Sequence, residues 1–196
     1  GPSRYKYTLK EINMATLKLE SLMMQGSDIN EHLPTLFTLA SMSDSILECG
    51  VRSAVSSWAF VASIEGTSKV LHSVDLEDHP NIRTIGKYCE DKKIDYRFFE
   101  MDDRKFKFER DYDLIFIDTF HVYEHLKQEL ELFHSHAKKY IVMHDTTVDE
   151  TYGEIIRCNP HNYTDVALNI SKKNGYSFKG LTTGLWPAVV EFLEEH

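Results

Sequence analysis

The sequence is poor in cysteine and contains no long hydrophobic run. Its three cysteines, Cys49, Cys89 and Cys158, are too few and too irregularly spaced for a disulfide framework or for a zinc site of paired cysteine ligands. The longest apolar runs, 114–117 and 141–143, fall far short of the roughly 20 residues that span a bilayer. We therefore expect a soluble, cytoplasmic protein with free thiols and no membrane partner.

Positive charge is also scarce. Lysine and arginine together number 22 against 31 aspartates and glutamates, which gives a formal net charge of −9, and no run of basic residues occurs. A field of that sign repels a phosphate backbone. We therefore expect no nucleic-acid partner.

The chain length and composition suit a single domain. Of the 196 residues, 42% are hydrophobic, which is enough to bury one core of ordinary size but hardly two. Residues 1–3 have the sequence of a scar left by a cleaved expression tag. We expect two N-terminal helices within 4–44 and the core of the domain within 45–196.

Short apolar segments alternate with segments of helical periodicity from residue 45 onward. This alternation predicts an α/β fold, with a Rossmann-like, mostly parallel sheet and helices on both faces. The stretch 159–184 has the least regular pattern, which is typical of a loop that covers a substrate. The predicted strands are 45–49, 70–75, 96–99, 113–118 and 140–143, and the predicted core helices are 53–64, 81–91 and 121–136.

Each predicted strand ends in a polar residue or a glycine. In open α/β sheets, ligands bind at the carboxyl ends of the strands. For any single residue, helix capping or loop solubility explains the position as well as ligand binding does. Because all five strand ends agree, the pattern favours a polar ligand at that edge. The residues are Glu48 and Gly50, Asp75, Asp102 and Asp103, Asp118, and His144 with Asp145.

Several segments, taken in their order and spacing, resemble the class I S-adenosylmethionine-dependent methyltransferases. Within that class the sequence is similar to small O-methyltransferases of the macrocin O-methyltransferase and cephalosporin hydroxylase-like families, from about residue 27 to the end. Segment 51–58 also resembles methyltransferase modules attached to glycosyltransferases, including viral proteins that build glycans. The segments that carry the resemblance are 28–32, 46–56, 117–124, 144–146 and 184–188.

The resemblance implies that S-adenosylmethionine is the cofactor. The glycine turn after the first strand then faces its methionine part, Asp75 binds the ribose hydroxyls, and Met101 and Asp102 contact the adenine, with Asp103 an equal candidate. The usual second glycine of the turn is replaced by Ala54. The residues expected to bind the cofactor are Glu48, Gly50, Val51, Arg52, Ser53, Ser56, Asp75, Met101, Asp102 and Asp118.

Asp118 and His121 lie three residues apart where a helix begins, so both side chains can point into one cleft. A histidine that titrates near neutrality suits the removal of a proton from an acceptor hydroxyl. The resemblance to metal-dependent relatives implies that Asp118, His144 and Asp145 hold magnesium or manganese and that His121 is the base. His144 stands where relatives place another acid, so metal dependence stays open. Without a metal, Asp118 orients His121 or the cofactor amine, and His144 is the alternative base.

We therefore expect an O-methyltransferase whose acceptor is a sugar hydroxyl of a glycan or glycoside, for example a deoxyhexose such as rhamnose. The alternatives are a catechol-type enzyme for small molecules and a nucleotide-binding module without catalysis. A nicotinamide dehydrogenase is disfavoured because the sequence lacks Gly-x-Gly-x-x-Gly. Relatives complete the sheet with two strands after the helix that contains Trp186. This sequence ends before such a pair, so we expect either a fragment of a larger protein or a shorter sheet. An open sheet edge would favour a homodimer or attachment to a glycosyltransferase.

Overall fold

The computed structural model describes residues 15, 18, 19, 23, 32–52, 54–144 and 148–196. The first predicted N-terminal helix and the start of the second lie largely outside this part of the chain. The strands are β1 (Ser45–Cys49), β2 (Val70–Asp75), β3 (Asp95–Glu100), β4 (Tyr112–Ile117) and β5 (Ala137–Met143). The α-helices are α1 (Leu33–Ser41), α2 (Val55–Ile64), α3 (Pro80–Lys92), α4 (Tyr123–Phe133), α5 (Gly153–Cys158), α6 (Tyr163–Asn174), α7 (Phe178–Thr182) and α8 (Trp186–Glu195).

The five strands form one parallel sheet in the order β3-β2-β1-β4-β5. Strands β1 and β4 are buried along their whole length, which agrees with the continuous apolar run that β4 shows in the sequence. The predicted Rossmann-like α/β class is therefore confirmed. The carboxyl ends of all five strands lie at the same edge of the sheet, where the sequence places its polar residues.

Alternate strand residues pack against opposite helical layers. Ile46, Leu114 and Phe116 contact the layer of α1, α2 and α3, whereas Leu47 and Ile115 contact the layer of α4 and α8. Burial of apolar side chains on both faces holds the sheet between two layers of helices. The sheet edge that carries the polar residues therefore has a fixed backbone.

Residues 148–196 form four helices and connecting turns, with no strand in this stretch. The interpretation of 159–184 as an irregular loop is wrong, because α6 and α7 occupy most of it. Only Ala167 of α6 is buried, so the apolar periodicity that would reveal this helix in the sequence is weak.

Two element boundaries also differ from expectation. Helix α2 begins at Val55 rather than at residue 53, because Ala54 has the left-handed conformation with φ 63°. Helix α4 ends at Phe133, and 134–136 form a short 3₁₀ turn. Over the part of the chain that the structure describes, no helix has the length and apolar character needed to cross a membrane.

Candidate active site

The turn between β1 and α2 contains three residues in the left-handed region. They are Gly50 with φ 84°, Arg52 with φ 50° and Ala54 with φ 63°. For residues other than glycine this region costs roughly 1–2 kcal/mol each, so the surrounding structure must hold them in place. Asp75 does so in part, because its Oδ2 accepts hydrogen bonds from the backbone N–H groups of Val51 at 2.7 Å and Arg52 at 3.0 Å.

Gly50 is required by a close approach of two backbones. A Cβ atom at this position would lie 2.0 Å from the carbonyl oxygen of Asp118. The Asp118 N–H donates to the carbonyl of Cys49 at 2.8 Å, and the Gly50 N–H donates to the carbonyl of Val74 at 2.8 Å. The carboxyl ends of β1, β2 and β4 are thus held in close contact around this glycine by backbone hydrogen bonds.

A cavity of about 440 Å³ opens at the carboxyl ends of β1, β2 and β4. This volume lies within the range of roughly 300–1,000 Å³ that is usual for small-molecule and cofactor sites. Six of the residues predicted to bind the cofactor line it: Gly50, Arg52, Asp75, Met101, Asp102 and Asp118. The C-terminal helical segment supplies another part of its wall through Glu154, Ile170, Asn174 and Tyr176.

Glu48 and Ser56 lie in the core and do not line this cavity, which corrects the prediction that they contact the cofactor. The Glu48 carboxylate is fully buried and accepts hydrogen bonds from Ser56, Ser57 and Ser73. Burial raises the pKa of Glu48 to about 7, although the three hydroxyl donors oppose the shift. Strand alternation turns this side chain towards α2, because Glu48 pairs in register with Ser73 and Phe116.

Val51 and Ser53 are two further residues that were predicted to bind the cofactor. The Val51 side chain is buried in the core. The backbone N–H of Val51 donates a hydrogen bond to Asp75 and so holds the turn in place. Ser53 lies outside the described residues.

An ion pair lies at the end of the cavity that Met101 and Asp102 line. Arg104 Nη2 lies 2.6 Å from Asp102 Oδ2, and the guanidinium carbon lies 4.7 Å from the centre of the Tyr176 ring. Burial opposes ionisation of Asp102, but its hydrogen bonds with Arg104 lower its pKa. Asp102 is therefore a charged acceptor already paired with Arg104, whose stacking on Tyr176 joins this end of the cavity to the C-terminal segment.

A buried chain of charged groups starts at Asp118 on the cavity wall. His121 lies between two carboxylates, with its Nε2 at 3.0 Å from Asp118 Oδ1 and its Nδ1 at 2.9 Å from Asp149 Oδ2. The same Asp149 oxygen accepts a hydrogen bond from Arg157 Nη2 at 3.0 Å. The structure thus brings together the predicted pair and adds two residues that the sequence analysis did not identify.

Asp118 is the main influence that favours the protonated form of His121. Burial disfavours its charged form, but the hydrogen bond and charge of Asp118 outweigh burial and raise the pKa of His121. Burial likewise opposes ionisation of Asp118, yet hydrogen bonds from His121 and His144 hold its pKa far below the ordinary value. Asp118 is therefore ionised across the physiological range, and His121 is the group of this pair that titrates.

His144 belongs to the same group, with its Nδ1 at 3.3 Å from Asp118 Oδ1. Ligand atoms of Asp118, His121 and His144 all lie within 4.8 Å of one another, which is close enough to hold one metal ion. Two imidazoles and one carboxylate favour manganese, iron or zinc over magnesium, which prefers oxygen ligands. Asp145, the other predicted ligand, lies outside the described residues.

The residues that the sequence analysis missed share one property. Asp149, Glu154, Arg157 and Tyr176 come from the segment after β5, where no strand end or motif marks them. Glu154 accepts the backbone N–H of His121 at 2.6 Å, so this segment is anchored directly at the predicted base. The acidic residues of 149–154 are visible in the sequence, but nothing in the sequence indicates that they contact His121.

The sequence matches no protein-family model and no curated protein. Among solved structures, a putative O-methyltransferase from Klebsiella pneumoniae is similar, with a TM-score of 0.53 and 14% identity over 96% of this chain and 79% of that one. The SAH-bound methyltransferase PaMTH1 of Podospora anserina is similar with a TM-score of 0.52 and 13% identity, over 94% of this chain and 79% of that one. The architecture, the position of the cavity and these likenesses agree: this chain has the Rossmann-like fold of the class I S-adenosylmethionine-dependent methyltransferases.

Proposed function

We propose that the protein is an S-adenosylmethionine-dependent O-methyltransferase that acts on a sugar hydroxyl. The observation that carries this proposal is the buried chain Asp118, His121 and Asp149, which reaches the cavity wall beside the glycine turn. Methyl transfer to an oxygen requires a site that receives the hydroxyl proton next to the site that holds the methyl donor. The chain that would receive the proton and the turn that would hold the methyl donor lie beside each other at the carboxyl ends of β4 and β1.

The residues around the cavity fit S-adenosylmethionine. The turn at Gly50 and Arg52 precedes the N-terminus of α2, a position that suits the methionine carboxylate. Asp75 ends β2 and presents a carboxylate to the cavity, which suits the ribose hydroxyls. Met101 and Asp102 offer an apolar surface and a charged acceptor for the adenine. When bound, the cofactor supplies an electrophilic methyl group on sulfonium.

Asp118 and His121 act together on the acceptor proton in this proposal. Asp118 lines the cavity, whereas His121 is 3% exposed and lies behind it. Asp118 orients the hydroxyl. The reactive form has a neutral His121 whose proton lies on Nδ1 and is donated to Asp149, so Nε2 is free. The acceptor proton passes through Asp118 to that nitrogen as the oxygen takes the methyl group. The imidazolium that results lies between two carboxylates, which stabilises its charge.

The donor set of Asp118, His121 and His144 also fits a divalent transition metal. A cation held there would lower the pKa of the acceptor hydroxyl. Asp149 would keep its present role, since a carboxylate on the second nitrogen of a ligating histidine fixes the tautomer.

The walls supplied by the C-terminal segment suit a sugar acceptor. Phe120 offers aromatic surface, while Glu154 and Asn174 offer hydrogen-bonding groups on the same cavity. Sugars combine apolar ring faces with a rim of hydroxyls, so a mixed surface of this kind matches them. The net charge of −9 also suits a neutral acceptor better than an anionic one.

The proposal is tested by methyl transfer from isotopically labelled S-adenosylmethionine to a panel of acceptors, with products identified by mass spectrometry. We expect transfer to a deoxyhexose glycoside such as a rhamnoside. Methylation of catechol with none of the sugar would replace this proposal by the catechol-type function. Binding of S-adenosylhomocysteine without transfer to any acceptor of the panel would favour a non-catalytic module.

The electrostatic coupling of Asp118 and His121 predicts a specific titration. In Asp118→Asn, the His121 imidazole loses its charged partner, so its pKa should fall by at least about one unit relative to the native protein. NMR titration of the imidazole carbon-bound protons measures this, with the His121 signal assigned from its absence in His121→Gln. Asp165→Asn, which removes an exposed carboxylate, is the matched control. The same His121 pKa in the Asp118 variant and the native protein would contradict the coupling on which the proposed proton transfer depends.

A further inference from the structure

A second group of metal-ligating side chains lies beneath the cavity, away from Asp118. Asp103 belongs to the short 3₁₀ turn 103–105 that follows β3, and His125 and Glu129 lie four residues apart on α4. Residues at that spacing share one face of a helix. All three side chains are buried, and their potential ligand atoms lie within 4.8 Å of one another.

The distances within this group resemble the edges of a coordination polyhedron. His125 Nε2 lies 3.5 Å from Asp103 Oδ1 and 3.5 Å from Glu129 Oε1. Hydrogen bonds from N–H to oxygen are usually about 2.7–3.2 Å long. Ligands about 2.0–2.2 Å from a tetrahedral zinc ion are separated by roughly 3.4 Å.

One oxygen of the group points to a missing ligand. Asp103 Oδ2 is buried and has no nitrogen or hydroxyl donor among the described residues, and the Asp103 carboxylate contacts that of Glu129. A buried carboxylate oxygen without a partner is costly. When ionised, the two carboxylates carry negative charge that a divalent cation would balance.

Outer contacts already orient two of the three ligands. His125 Nδ1 lies 2.6 Å from the Tyr176 hydroxyl, which leaves Nε2 as the nitrogen that faces both carboxylates. The Thr119 hydroxyl donates to Glu129 at 2.7 Å from Oε2. Ligating histidines and carboxylates in metal sites are held by such outer partners.

We propose that Asp103, His125 and Glu129 form a structural zinc site, separate from the group around Asp118. One imidazole and two carboxylates are zinc ligands at suitable separations, and three protein ligands leave a fourth position for water. Asp103 and His125 line the cavity, which gives the ion a route of entry. The ion joins the turn after β3 to α4 and, through His125 and Tyr176, to the C-terminal segment. This inference does not depend on methyl transfer.

The test is a zinc titration of chelator-stripped protein in competition with a chromophoric chelator. We expect tight binding by the native chain and at least a tenfold loss of affinity in Glu129→Gln. That variant keeps the volume and the contact with Thr119 but loses a charged ligand, so without metal it should resist urea at least as well as the native protein. Asp118→Asn should retain this tight binding, because it alters only the other group.

Either of two results would overturn the proposal. One is the absence of tight zinc binding by the native chain, which would mean that a proton bridges Asp103 and Glu129 instead. The other is a result in which Asp118→Asn loses zinc binding while Glu129→Gln keeps the native affinity. That result would place the ion at the group of Asp118, His121 and His144. If Glu129→Gln does not fold, the anomalous scattering of zinc in crystals of the native protein decides the question. A peak between Asp103 and His125 supports the site, and its absence there rejects it.

Discussion

Gly50→Ala should destabilise the protein by about 3 kcal/mol or more and abolish its binding of S-adenosylhomocysteine. The new methyl group would lie 2.0 Å from the Asp118 carbonyl oxygen and 2.6 Å from its carbon. These are backbone atoms, so relief requires that β1 and β4 separate at the carboxyl end. The variant also places alanine at φ 84°, which by itself costs roughly 1–2 kcal/mol. A loss of this size is a large part of a typical stability of roughly 5–15 kcal/mol.

Gly66→Ala is the matched control. Gly66 has φ 76°, but a Cβ atom there meets nothing within 4 Å. The free energy of unfolding of Gly66→Ala should be lower than that of the native protein by about 1–2 kcal/mol, which measures the backbone strain alone. The affinity of this variant for S-adenosylhomocysteine should equal that of the native protein. Urea unfolding gives the stabilities, and calorimetric titration gives the affinities. Equal losses of stability in the two variants would show that the close approach at Asp118 is absent.

Glu48→Gln should stabilise the protein, and the gain should depend on pH. In the native protein the pKa of Glu48 is raised from 4.5 to about 7, mainly because burial disfavours its charge. Between these values the folded state binds a proton that the unfolded chain has released. Stability therefore falls as the pH rises through this window, by a total on the order of 3 kcal/mol. Glutamine never ionises, so the variant avoids this loss.

The expected excess stability of Glu48→Gln is thus close to zero at pH 4.5, grows up to about pH 7 and is constant above it. The serine hydroxyls that donate to Glu48 can also accept from an amide, so hydrogen bonding survives the change. Urea unfolding at several pH values between 4.5 and 8 measures the difference from the native protein. Glu90→Gln, at an exposed position of α3, should show no such trend. A difference for Glu48→Gln that does not vary with pH would contradict the buried, raised-pKa state.

The parallel sheet was predictable because short apolar segments alternate with helical ones and because the central strands β1 and β4 are buried along their whole length. The β4 run from Leu114 to Ile117 is the clearest example, and it fixes the position of Asp118 at the end of a strand. The layer of α6 and α7 was not predictable in the same way. Its helices bury few side chains, so their periodicity is weak.

The site was predicted as a ring of strand ends, and residues that end a strand or directly follow one do line the cavity. Asp75 and Asp118 line the cavity as expected. Glu48 fails because it lies within β1, one residue before the end, and its side chain alternates to the face that α2 covers. Side chains alternate between the two faces of a sheet, so a polar residue inside a strand can face a covering helix instead of the ligand edge.

The contact of Asp149 with His121 could not have been derived from the sequence. It joins residues 28 positions apart through a turn that follows β5, and nothing in the local pattern specifies that pairing. The group of Asp103, His125 and Glu129 depends in the same way on the packing of α4 against the turn after β3. The spacing of His125 and Glu129 allows them to share one helix face, but their burial and their contact with Asp103 come from tertiary structure alone.

The strand order also governs how the chain reaches its fold. Strand β1 lies at the centre of the sheet, and its neighbours β2 and β4 join it at very different stages of chain elongation. Pairing of Ile46 with Leu71 needs one intervening helix, whereas pairing of Ile46 with Leu114 waits until β2, α3 and β3 have been made. Long-range parallel pairing of this kind is slow, and an unpaired apolar strand edge attracts other chains. The strand that later anchors the glycine turn is therefore the one that a nascent or refolding chain leaves open to aggregation the longest.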